Sequence, residues 1–96
     1  MPYIKKEDRK DLDKHIKKLG KIIAERNIAN CTCICGDLNY TVTKLIKETL
    51  KAENVEKSYA QLNEIIGMLE SCKLEFYRRE VAPYEDKKIK ENSDVY

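Results

Sequence analysis

The sequence predicts an all-α protein, a three-helix antiparallel bundle with a long third helix and a short C-terminal helix after Pro83. Three observations carry this. Apolar residues recur three or four apart along three separate stretches, the signature of amphipathic helices. Turn formers are scarce: three Gly and two Pro in 96 residues, with one Phe and no Trp. A chain that is 42% apolar and 38% charged with so few turn residues suits neither disorder nor a β fold. No Gly/Ser/Pro-rich hinge interrupts it, so one helical domain over 1–96 is expected.

The first helix is expected over 8–27. Asp8 can cap it, with Asp11 close to the positive end of the dipole, and Leu12, Ile16, Leu19 and Ile23 form its stripe, widened by Ile22. Its other face carries Lys10, Lys14, Lys17, Lys18, Lys21 and Arg26, the pattern of a solvated face. Gly20 either admits a close neighbour or weakens the helix by about 1 kcal/mol. From Asn27 to Gly36 the period breaks, and this stretch reads as a loop or short extended segment. Asp37 then caps a second helix over 38–51, with Leu38, Val42, Leu45, Ile46 and Leu50 on one face. Thr41, Val42, Thr43 and Thr49 lower its intrinsic propensity, so packing must hold it.

A polar connector, Asn54 to Lys57, precedes a third helix over 56–80 with Tyr59, Leu62, Ile66, Leu69 and Phe76 as its main stripe. That helix would be ~37 Å long, more than its predecessor can cover. Pro83 is expected to end or kink it, and a short helix over 84–91 follows around Ile89. A chain of this size buries only somewhat over ~60% of its unfolded surface, so self-association into a homo-oligomer is expected to cover what remains.

Several function classes are excluded on composition. No apolar run approaches the ~20 residues of a membrane span, and the first residues lack an apolar signal region, so a cytoplasmic protein is expected. Lys+Arg 19 against Asp+Glu 17 leaves a charge of +2, too little for the field of a general nucleic-acid binder. There is no Gly-rich phosphate loop or dinucleotide fingerprint, and no cofactor is expected. His15 stands alone among lysines, without a second metal-spaced histidine or a nucleophile placed beside it. Glu64, Glu70, Glu75 and Glu80 lie six, five and five apart, which spreads them around a helix instead of stacking them for a metal. Cys31, Cys33, Cys35 and Cys72 could supply four zinc thiolates, but Cys-x-Cys-x-Cys turns its middle thiol away from the other two. Small residues in a loop are the simpler reading, with Cys72 in the core. An enzyme is not expected.

Two features stand above this background. Asn63, Gly67, Glu70, Leu74, Tyr77 and Arg78 draw a polar line along the third helix, with Gly67 mid-helix, where close helix contact is the simplest explanation. Tyr77-Arg78-Arg79 followed by Pro83-Tyr84-Glu85-Asp86-Lys87-Lys88 concentrates phenols, guanidinium groups and carboxylates. Tyr and Arg stack on flat rings, grip anions in pairs of hydrogen bonds and dominate interface hot spots.

Pro2-Tyr3-Ile4, Gly36-Asp37-Leu38-Asn39-Tyr40, Ile65-Ile66-Gly67-x-Leu69-Glu70, Leu74-Glu75-Phe76-Tyr77-Arg78-Arg79 and Ala82-Pro83-Tyr84-Glu85-Asp86-Lys87-Lys88-Ile89, with the Asp94-Val95-Tyr96 ending, resemble a family of short uncharacterised proteins of about this length from phage, prophage and bacterial genomes. The resemblance spans nearly the whole chain, with Ser93 standing where a Gly is expected. It brings no function with it. It implies that Asn39, Tyr40, Tyr77, Arg78, Tyr84, Glu85 and Asp94 belong to the family pattern, which helix packing alone does not require. By analogy, a small phage-type helical protein with such residues resembles the sponge proteins that sequester nucleotide signals of bacterial immunity. The expectation is therefore an oligomeric binding protein whose Asn39, Tyr40, Tyr77, Arg78, Tyr84 and Glu85 hold an anionic, nucleotide-like small molecule without turnover. The alternative is a protein–protein interaction factor, or an inhibitor of a host protein, acting through the Tyr/Arg-rich C-terminal region.

Overall fold

The computed structural model describes residues 4–30 and 33–96, and every regular element among them is helical. A 3₁₀ turn at Lys6–Asp8 leads into α1 (Lys10–Asn30), then α2 (Ile34–Glu53) and α3 (Tyr59–Phe76). A π-helical turn, Tyr77–Val81, joins α3 to α4 (Ala82–Asn92). The chain divides into two compact units, Ile4–Lys57 and a second that contains Ser58–Tyr96.

The first unit is a helical hairpin of α1 and α2. Asp8 does not cap α1; it closes the 3₁₀ turn, and the Arg9 carbonyl accepts the N–H groups of Leu12 and Asp13. Arg9 is held by its own guanidinium, which donates to the Ile4 carbonyl at 3.0 and 2.9 Å. The second expected cap also moves. α2 begins at Ile34 with Cys33 in the cap position, so Asp37 lies inside the first turn. There its carboxylate receives Arg26 from the end of α1, at 3.0 and 3.4 Å. Those two bonds tie the helices beside their connection, and they raise the Arg26 pKa above its ordinary value. Most of the expected loop over 27–36 is helical: Asn27 to Asn30 continue α1 and Ile34, Cys35 and Gly36 open α2, while Cys31 and Thr32 lie outside the described residues.

The hairpin's core is thin. Ile23 is its one fully buried residue among those described, at 6% exposure, with Thr41, Ile46 and Leu50 of α2 half-buried. Leu12, Ile16, Leu38 and Leu45 from the expected stripes stay exposed, because two helices can cover each other along one line only. Asn54 ends α2 in the left-handed region (φ 54°), its N–H returning to the Lys51 carbonyl at 3.2 Å. Asn tolerates that conformation better than most residues.

In the second unit, α3 starts at Tyr59 and not at 56, because the Ser58 hydroxyl accepts the Gln61 N–H at 3.1 Å and caps it there. From Tyr59 to Asn92 the backbone is helical without a break, ~50 Å of helix at ~1.5 Å per residue. Pro83 thus neither ends the third helix nor follows a gap. It sits in the first turn of α4, where its missing N–H is tolerated. The turn before it widens, and Ala82 donates to the Tyr77 carbonyl five residues back. None of this unit's described residues is fully buried. Nor is the expected crowding at Gly20 or Gly67 present: a Cβ at either would meet no atom within 4 Å among the described residues. Each glycine is left with its helix-weakening cost of about 1 kcal/mol. Among the described residues, no helix is long and apolar enough to cross a membrane.

Candidate functional site

The π-turn organises the Tyr/Arg cluster. In a regular helix residues seven apart share a face; one extra residue in the turn gives that relation to residues eight apart. Tyr77 and Glu85 are such a pair. The Tyr77 hydroxyl reaches both carboxylate oxygens of Glu85 at 2.8 Å, bridging from the first residue of the π-turn to α4. That hydrogen bond holds the phenol protonated and, with a smaller contribution from desolvation, raises its pKa above the usual value.

One turn earlier Glu75, half-buried, accepts two guanidinium groups. Arg78 donates at 3.1 and 3.4 Å and Arg79 at 2.9 Å. Glu75 thereby sets two guanidinium groups side by side at the end of α3. Tyr84 stands elsewhere: it is one residue, ~100°, round the helix from Glu85. Its ring is 61% exposed, and the Lys88 ammonium lies 5.6 Å from the centroid, within the range of a weak cation–π contact.

Of the six residues expected to form one site, Tyr77, Arg78, Tyr84 and Glu85 belong to the long helix, where a hydrogen bond joins Tyr77 to Glu85. Asn39 and Tyr40 belong to α2 of the hairpin, where Asn39 accepts the Thr43 hydroxyl at 3.4 Å and Tyr40 is exposed. The Arg78 guanidinium pairs internally with Glu75 and not with Glu85.

Hollows open on the surface formed by the described residues. One of about 360 Å³ lies at the end of α4, between Tyr84, Lys88 and Ile89 and the last residues Asp94, Val95 and Tyr96. Another, about 680 Å³, lies at the end of α2 and gathers Lys44, Lys47, Lys51 and Lys57 with Glu48 and Glu56, Lys44 being paired to Glu48 at 3.3 Å. The lysine grouping was not anticipated, although the spacing of Lys44, Lys47 and Lys51 puts them on one helical face. Lysines at a helix C-terminus also suit the negative end of its dipole.

Cys33, Cys35 and Cys72 are free, exposed thiols, so Cys72 is not in a core, and no group of three potential metal ligands occurs among the described residues. The backbone N–H groups of Gly36 and Cys35 lower the Cys33 pKa. Because the thiolate is the reactive form, Cys33 is expected to be alkylated before Cys35 and Cys72 at neutral pH. Mass spectrometry of partially modified protein would show the order, and Cys72 reacting first would contradict it.

A family model described as Domain of unknown function (DUF6899) matches residues 1–95. The chain belongs to that family. No curated protein matches, and no solved structure does. Membership agrees with the resemblance in extent, since the match runs from the first residue to the Tyr/Arg cluster and beyond it.

Proposed function

We propose that the chain is a non-catalytic binding protein that docks another protein through the exposed face of its long helix around Tyr77, Arg78 and Glu85. The observation that carries this reading is the bridge across the π-turn, in which Tyr77 is held by Glu85 while Arg78 is held by Glu75. Side chains already fixed by their own helix lose little freedom on docking, and Tyr and Arg are the residue types that dominate interface energies. On this reading the partner is a host protein, which the resemblance to phage proteins supports. Self-association, with helices of several copies completing a bundle, belongs to the same proposal, because neither unit buries its apolar stripes.

The second reading is capture of an anionic, nucleotide-like small molecule without turnover, with Tyr77, Arg78, Tyr84 and Glu85 as its contacts. One observation favours it, the two guanidinium groups of Arg78 and Arg79 set side by side on Glu75, guanidinium being a group that grips anions in pairs of hydrogen bonds. It ranks second because ligand pockets enclose most of their ligand, whereas these side chains stand open on a helix. Affinity capture from host lysate, repeated with Arg78→Ala, decides between them together with titrations against cyclic nucleotides and ADP-ribose derivatives. A stoichiometric protein lost with Arg78→Ala is expected. Tight small-molecule binding without a protein partner would transfer the function to the second reading.

A further inference from the structure

We propose that two copies of the chain pair their long helices antiparallel through the stripe Leu62, Ile65, Leu69, Phe76, Val81 and Tyr84, with Lys73 of each copy set against Glu80 of the other. This rests on the self-association proposed above and not on the Tyr77–Glu85 bridge, which lies on a neighbouring face.

The π-turn makes the stripe continuous. Along α3, Leu62, Ile65, Leu69 and Phe76 follow one line at helical spacing. Past Phe76 a regular helix would carry Tyr84, eight residues on, nearly a quarter turn off that line. The extra residue of the π-turn returns Tyr84 to the line, as it aligns Tyr77 with Glu85. The stripe is uncovered: Phe76 is 64% and Tyr84 61% exposed, Leu62 is exposed, and Ile65, Leu69 and Val81 are only half-buried. Phe76 and Tyr84 supply most of the uncovered apolar area, since a whole aromatic side chain can bury ~150–250 Å², and flanking side chains must add to the stripe to reach the ~800 Å² per partner of a stable interface.

Charge selects the occupant and its direction. Two ionic residues interrupt the apolar line near its middle, Lys73 three residues before Phe76 and Glu80 four after it. They are of opposite sign and nearly symmetric about Phe76 and Tyr77. A parallel pair in register stacks Lys73 on Lys73 and Glu80 on Glu80. An antiparallel pair centred on Phe76 and Tyr77 sets Lys73 against Glu80 twice, and opposed helix dipoles add to the preference. The structure leaves both charges able to do this. Glu80 has no ion-pair partner among the described residues, and Lys73 meets only Glu70 of its own helix, at 3.0 Å, while remaining exposed.

The test is sedimentation equilibrium of the full chain, with circular dichroism confirming that each variant stays helical. A species of about twice 11.2 kDa is expected. Lys73→Glu and Glu80→Lys should each weaken it roughly tenfold or more by juxtaposing like charges, and the double exchange should restore it. A monomer at high micromolar concentration overturns the proposal, as does a dimer indifferent to the single exchanges or one that the double exchange fails to rescue. Leu62→Ala lowering the melting temperature of a monomer would show that the chain covers its own stripe. Arg78→Ala, off the stripe, should abolish partner capture and leave the dimer intact, so failure of the docking reading and failure of this one give different results.

Discussion

Ile23→Ala is expected to cost the hairpin about 2–5 kcal/mol, the range for emptying a core aliphatic site. Whole domains of this kind are stable by only ~5–15 kcal/mol, so the variant should be largely unfolded in mild urea. The size of the effect follows from how little else the hairpin buries: Ile23 is at 6% exposure, while Ile16, two positions earlier in the same stripe, is at 62%. Ile16→Ala is therefore the internal comparison and should cost far less in the isolated chain. Urea denaturation followed by circular dichroism measures both. Equal losses at the two positions would mean that something covers Ile16 as fully as Ile23 is covered here.

Pro83→Ala is expected to do the opposite to stability while abolishing the bridge. Proline in a helix interior is ~3 kcal/mol less favourable than alanine, and its place in the first turn of α4 makes that an upper limit. With an N–H restored at 83, the π-turn can close to a regular helix, and α4 then rotates by up to ~100° relative to α3. Tyr77 and Glu85 no longer share a face. The melting temperature should rise, and the Tyr77 phenol should return to an ordinary pKa. In the natural chain the folded-state pKa of Tyr77 is raised. The bridge therefore contributes fully below the unfolded value near ~10 and is lost as pH rises through the higher folded value. Spectrophotometric titration of the phenols, with Tyr77→Phe identifying the signal, checks this. A raised Tyr77 pKa surviving in Pro83→Ala would show that the π-turn does not depend on the proline.

How much was legible in advance depends on how local the cause is. The spacing of Leu12, Ile16, Leu19 and Ile23, and of Leu62, Leu69 and Phe76, announces helices because period and burial share one geometry. Helix ends were less legible. The polar run from Asn54 to Lys57 suggests a start at 56, whereas in Ser58-Tyr59-Ala60-Gln61 the serine decides the start of α3 by accepting a particular N–H, that of Gln61. Asp37 looked like a cap in sequence, yet Arg26 of the preceding helix claims its carboxylate, and nothing local distinguishes those uses. Pro83 signalled a disturbance without saying which; a break, a kink and a π-turn all answer the same missing N–H.

The candidate site divides in the same way. Its ingredients, Tyr77, Arg78, Tyr84 and Glu85, are visible as composition, whereas their pairing is not: Arg78 could have met Glu75 or Glu85, and the Tyr77–Glu85 contact exists only because one extra residue in the turn realigns positions eight apart.

By itself, then, the sequence determines that this chain is helical, roughly where its stripes run, and which side chains could recognise a partner, since these follow from residue type and from spacings of a few residues. Tertiary structure alone decides that the long helix continues through Pro83, that among the described residues only Ile23 is fully covered, and that Tyr77 and Glu85 meet while Tyr84 faces elsewhere. Those outcomes depend on the angle each residue takes around the helix and on which atoms arrive beside it, and one residue more or less in a turn changes both.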